Sequence, residues 1–295
     1  MKILIRFVKK PVTGFLTLIF ITLVNFSSFA QEGWTLSTSL QYAGGNYIYN
    51  NANRIFYFYG RVGYQTKKWS FNISVPLVAQ NNNGISQIGG MMLPNGNSNN
   101  ANRSETGGEF GGMMGNGGGI SSSLSHTNYG LGDTYIYSSY FFMDELTSPI
   151  AINFNSFVKV PTANTSEGIG TGKLDFGLSV TLKKTLPIGK DSHNSLVVFG
   201  DVGYINIGNP PNAELNNPVS YGFGIGKLFD DSNYSLLLYY QSYSTIIKGY
   251  EPPRQLSLGL NYKINSQLNF SLIGSAGLSK VTSAFSFLTG LKWII

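Results

Sequence analysis

Trp69-Ser70-Phe71-Asn72-Ile73-Ser74-Val75-Pro76-Leu77 places a large apolar side chain at every second position, with a small or polar residue between each pair. Extended backbone sends successive side chains to opposite faces, so this reads as a strand over 68–80 with one greasy face and one polar face, Val78 excepted. The alternation returns at Trp34, Leu36, Leu40 and Tyr42, at Leu174, Phe176, Leu178, Val180 and Leu182, and at Leu256, Leu258, Leu260, Tyr262 and Ile264. Repeated along an exported chain, it predicts an all-β fold, a transmembrane antiparallel β-barrel.

Composition points the same way. Among 295 residues only 12% are charged and 14% are aromatic, with 18 Tyr, 20 Phe and 36 Gly. A soluble domain carries roughly a quarter charged residues. A soluble β-sandwich would also alternate, burying its apolar faces against each other. Scarce charge, abundant aromatics and the loop pattern below favour the barrel.

The absence of cysteine excludes disulfide frameworks, thiol catalysis, Cys-bound metals and lipoprotein attachment. Residues 1–10 carry Lys2, Arg6, Lys9 and Lys10 without an acid; an apolar run from Phe15 to Val24 and Ser28-Phe29-Ala30 follow. This is the layout of a secretory signal peptide over 1–30, with cleavage before Gln31, and the run is shorter than the roughly 20 residues of a membrane-spanning helix. Its removal leaves 16 bases against 14 acids, so the mature chain is +2 and offers no basic face for nucleic acid.

Twelve strands are expected, near 34–42, 54–65, 68–80, 129–143, 149–160, 173–186, 195–207, 219–229, 233–245, 254–264, 267–276 and 284–294. A tilted strand crosses the membrane in roughly 9–11 residues. Outer-membrane barrels alternate short periplasmic turns with long outer loops. The short connections are expected at 66–67, 144–148, 187–194, 230–232 and 265–266, and the long ones at 43–53, 81–128, 161–172, 208–218, 246–253 and 277–283.

Three punctuated segments carry a resemblance: Tyr129-Gly130-Leu131-Gly132-Asp133, then Phe157-Val158-Lys159-Val160-Pro161-Thr162-Ala163, then Gly170-Thr171-Gly172-Lys173-Leu174-Asp175-Phe176. With Gly277-Leu278-Ser279, they resemble a family of outer-membrane β-barrel transporters labelled for the phenol meta-cleavage (MetA) pathway, related in outline to hydrophobic-compound channels of the long-chain fatty acid type. The resemblance covers 129–295 and implies an outer-membrane barrel that transports. It departs at Ala163, where the family's corner has Gly, and at the terminal Trp293-Ile294-Ile295, where many barrels end in an aromatic residue.

Other motifs dissolve on inspection. Gly170-Thr171-Gly172-Lys173 is no phosphate-binding loop, because Glu167 occupies the first glycine position and Leu174 follows the lysine. Gly222, Gly224 and Gly226 lie on one strand and would all face the lumen, relieving crowding or leaving room for a solute or an inserted loop.

Parity assigns the lumen wall and thus the candidate solute path: Tyr57, Tyr59, Arg61, Asn153, Asn155, Lys159, Asp175, Ser179, Thr181, Lys183, Asp201, Gln241, Tyr243, Asn261 and Lys263. Asp201 shares parity with Val197, Phe199, Ile205 and Ile207. A charge at mid-membrane costs roughly 2–4 kcal/mol for a base and less for an acid, so Asp201 is turned inward together with an apolar strip.

The loop at 81–128, rich in Gly and Asn, contains Met91-Met92, Met113-Met114, Glu109 and His126. Thioethers with a histidine suit Cu(I) or Ag(I), but the spacing is irregular, and methionines that pack as apolar contacts or fold into the barrel mouth are the simpler reading. No metal and no cofactor are expected. Catalysis is not expected either: His126 and His193 fall in a loop and a turn, away from any wall serine. The reading is a monomeric channel, in contact with membrane lipid and a small-molecule solute, for passive uptake of a small hydrophobic or aromatic compound; the alternative is a closed barrel whose outer loops bind a ligand or surface.

Overall fold

The computed structural model describes residues 32–47, 52–81, 85–88, 91–94, 127–188, 194–210, 214–229 and 233–295. The expected signal at 1–30, both histidines, Glu109 and Met113-Met114 lie outside these residues.

The described residues form fifteen strands: β1 (Gly33–Gly45), β2 (Asn53–Gln65), β3 (Trp69–Gln80), β4 (Ile85–Ile88), β5 (Met91–Pro94), β6 (Asn128–Leu131), β7 (Thr134–Met143), β8 (Ala151–Val160), β9 (Asp175–Pro187), β10 (Asn194–Asn206), β11 (Val219–Phe229), β12 (Tyr234–Tyr243), β13 (Arg254–Lys263), β14 (Leu268–Gly277) and β15 (Phe285–Ile294). Thirteen of them make one antiparallel sheet. It closes where β15 returns to β1, with Leu40 opposite Thr289. β6 and β7 both pair with β3, so the cylinder has twelve wall positions, matching the expected strands.

The fourth wall strand is broken where the sequence reads as continuous. Leu131 faces Leu77 and Tyr135 faces Ser74, so residues 132–134 oppose only Val75 and Pro76. Pro76 has no N–H to give, and its carbonyl accepts the Gly132 N–H at 2.7 Å. The resulting bulge turns Asp133 into the interior, where it is buried.

On the outer face the rings gather at the two ends. At the short-turn end Trp34 packs on Tyr64, Trp69 on Tyr140, Phe142 on Phe154 and Tyr234 on Tyr262. At the long-loop end Tyr42 packs on Phe285, and Phe285 on Phe287. Between the belts stand exposed aliphatics such as Val62, Ile73, Val75, Leu178, Val202, Leu238, Leu258 and Leu272. An apolar band between two aromatic belts fits a bilayer with its ring-rich boundaries. Lys227, near the short-turn end, lies over the Phe229 ring at 4.4 Å, its stem along the apolar surface.

Inside, the wall is lopsided. β2, β7 and β10 turn Tyr57, Tyr59, Tyr135 and Phe199 inward, all buried. In contrast Ala43, Ser286, Ser275 and Ser257 form one cross-strand row on β1, β15, β14 and β13. The inward glycines of β11 are covered. Phe199 and Tyr239 flank Gly224 across the sheet and stack over it, ring centroids 5.5 Å apart. A Cβ on Gly224 would lie 2.3 Å from the Phe199 ring, so these glycines make room for aromatic side chains.

Replacing lipid-facing Ile73 with arginine should destabilise the barrel by about 2–4 kcal/mol, whereas arginine at Trp69 in the belt should cost about 0–1 kcal/mol beyond the lost ring contacts. Urea unfolding of the refolded chain in lipid vesicles measures both.

Candidate functional site

The interior is organised around a buried ion cluster. Lys159, at the end of β8, has no exposed surface; its Nζ lies 2.7 Å from Asp175 Oδ2, 3.4 Å from Asp133 Oδ2 and 2.7 Å from Thr171 Oγ1. These residues come from the three punctuated segments that carry the family resemblance. Taking each ion out of water costs several kcal/mol, so the cluster persists only because each charge is met. Asp133 Oδ1 accepts the Ala163 N–H and Asp175 Oδ1 the Gly208 N–H, both at 3.0 Å. The cluster thereby fastens the 161–174 connection to the barrel.

That connection supports an inserted hairpin. Its 3-10 turn, Thr165–Glu167, is capped by Asn164 and ends at Gly168, whose φ of 70° suits a residue without a Cβ. The Gly168 carbonyl accepts hydrogen bonds from Gln80 Nε2 at 3.0 Å and Ser86 Oγ at 3.1 Å. Ser86 belongs to β4, which pairs with β5 inside the cylinder. Ile85, Ile88 and Leu93 of this hairpin have no exposed surface and pack with Tyr57, Tyr59, Val78, Ile169, Ile205 and Ile246. The Tyr59 hydroxyl points between Gln41 Oε1 at 3.0 Å and Gln87 Oε1 at 3.4 Å, joining wall to hairpin. Part of the expected outer loop is thus lumen filling.

The hairpin packs against the large-residue side and leaves space on the other. A cavity of about 260 Å³ lies between Met91, Met92 and Leu93 and the wall of β12 to β15 and β1. It runs from Pro253 and Val281 at the long-loop end to Leu237, Gly259 and Ile273 at mid-barrel. Small Ser257, Ser275 and Ser286 create its depth. At its rim Tyr47 bonds Ser283 Oγ at 2.9 Å; burial pushes the Tyr47 phenol up to about 12, against the smaller opposing effect of that bond, so it stays protonated near neutrality.

The wall residues read from the sequence are distributed around this space. Tyr57 stacks on Tyr59 at 5.5 Å, and Arg61 lies 5.2 Å from the centre of the Tyr137 ring. Lys159 and Asp175 face inward but meet each other, with no surface left for a solute. Asn155 bonds Thr181 at 3.0 Å, with Asn153 and Ser179 beside them, half-buried. Lys183 lies 3.6 Å from Glu145 at the short-turn end. Asp201 faces inward with Phe199 and accepts the Tyr239 hydroxyl at 2.7 Å. Gln241 accepts from Gln255 at 3.0 Å, Asn261 is half-buried, and Lys263 is exposed at the short-turn rim. Of this whole set only Tyr243 lines the cavity. The other lining residues were missed because parity ranks large polar groups; the signal was the run of inward Ser and Gly on β13 to β15.

No protein-family model and no curated protein matches the chain. An outer membrane channel from Pseudomonas putida F1 is structurally similar over 93% of this chain and 100% of its own, at 10% identity and a TM-score of 0.58. The KdgM porin covers 88% of this chain and 99% of its own at 8% identity and a TM-score of 0.45. The P. putida toluene transporter TodX covers 91% of each at 12% identity and a TM-score of 0.41. The first likeness shows the same barrel fold; the other two align too loosely to add to it.

Lys159→Met should destabilise the folded barrel by about 3–5 kcal/mol, because two buried carboxylates lose their cation. Adding Asp133→Asn and Asp175→Asn should restore most of that loss in the same vesicle unfolding measurement.

Proposed function

We propose that the mature chain, after removal of residues 1–30, is a monomeric outer-membrane channel that passes a small apolar or aromatic compound by diffusion, without catalysis or energy coupling. The observation that carries this reading is a belted, lipid-facing exterior enclosing a cavity that reaches from the long-loop end to mid-barrel. The long-loop end is the outer one by analogy with barrels of this class. Solute enters past Tyr47 and Val281, passes between the thioethers of Met91 and Met92 and the serine row, and leaves toward the short-turn end beside Arg61 and Lys292.

The aromatic character of the solute draws support from the resemblance over 129–295 and from the methionine and tyrosine surfaces of the cavity, which suit a ring. A fold shared with an outer membrane channel agrees with it. The filled half of the lumen favours a second reading, a closed barrel that binds a ligand with its outer loops.

Planar-bilayer recording separates the two. The intact chain should show a small steady conductance, and deletion of residues 85–94 should raise it severalfold by emptying the filled half. Silence from both proteins would support the closed barrel.

A further inference from the structure

The cavity carries a chemical specification beyond its position. None of its lining residues is Asp, Glu, Lys, Arg or His. The charged side chains that face the interior lie outside that lining: Lys159, Asp133 and Asp175 in their buried cluster, Asp201 behind Tyr239, Lys183 by Glu145, and Arg61 and Lys292 on one cross-strand row near the short-turn end. A ring-sized ion that fills the cavity and displaces its water would exchange that water for neutral dipoles and aliphatic surface, a transfer far costlier for a charge than for a hydroxyl or amide.

Its two sides divide the work. Met91, Met92 and Leu93 of the hairpin offer polarizable apolar contact. Opposite them Ser257 and Ser275 share one hydrogen bond at 2.8 Å, leaving one hydroxyl proton and several lone pairs for a guest. Such a pair suits a group that both donates and accepts, whereas a carboxylate only accepts. Asp201 accepts the hydrogen bond of the Tyr239 hydroxyl, so Tyr239 offers the cavity its ring and keeps its donor for the wall. A volume of about 260 Å³ accommodates an aromatic ring with a substituent.

Resting on the channel reading, we propose that this cavity is a binding site for compact uncharged solutes bearing one hydrogen-bonding group, and that it turns away the ionised forms of such molecules. Benzamide and benzoate, nearly equal in shape and different in charge, are the probes. Equilibrium dialysis of each against the full mature chain in detergent at neutral pH, with empty micelles as baseline, should show saturable benzamide binding about tenfold or more tighter than benzoate. Ser275→Asp should weaken benzamide about tenfold, and Ser275→Ala, the milder variant should the aspartate fail to fold, about threefold. Equal binding of the two probes, no saturable benzamide binding, or indifference of a folded Ser275 variant would overturn the proposal. The channel reading stands or falls separately: conductance with no preference between the probes would keep the channel and remove the filter, and binding in an electrically silent barrel would do the reverse.

Discussion

Lipid offers no hydrogen bonds, so every amide in the membrane-crossing wall must find its partner within the sheet. The pairing of β1 with β15, from Thr35 opposite Ile294 to Gly44 opposite Phe285, meets that demand by abolishing the sheet's edges. Closure then divides each strand into an outer and an inner face. The outer face carries the aliphatic band and its two aromatic belts. The inner face encloses a space that the chain must either fill or leave open, and here it does both.

Filling depends on a charge. Lys159 gathers Asp133 and Asp175 at the long-loop end, and through Ala163 and Gly208 this cluster fixes two connections over the barrel. The Gly168 carbonyl then reaches the hairpin at Ser86. Tyr57 and Tyr59 on β2, with Phe157 on β8, provide the apolar bed on which Ile85, Ile88 and Leu93 rest. The row of Ala43, Ser286, Ser275 and Ser257 projects only small side chains into the lumen, so the remaining space is a consequence of side-chain size as much as of strand number. One half of the lumen is thus a packed core and the other is a cavity.

The period of two made the wall legible: the alternation at 69–77 and its repeats locate the twelve strands to within a few residues, and the short and long connections follow. Parity put Asp201 in conflict with its apolar neighbours, and the cost of a charge facing lipid decided it inward, where Tyr239 meets the carboxylate. Long-range pairing was not legible. Nothing local says that Lys159 would spend its charge on Asp175 and not on a solute, since the two are brought together only when β8 meets β9. The composition of 81–128 left open whether its methionines pack as surface contacts or fold into the barrel mouth; Ile85, Ile88 and Met91 to Leu93, its one apolar cluster before residue 110, are the part that inserts. The break at Gly132-Asp133 depended on Pro76 in the neighbouring strand, which a strand-by-strand reading does not consult.

The central claim is a lumen half filled by the hairpin and half open along the serine row. Because the chain has no cysteine, single substitutions report without background. Labelling Ile88→Cys and Ser275→Cys with a small water-soluble thiol reagent, in folded protein in vesicles, tests both halves in one comparison. The account predicts that position 275 reacts while position 88 stays protected until the barrel unfolds; rapid labelling at 88, or protection at 275, would contradict it.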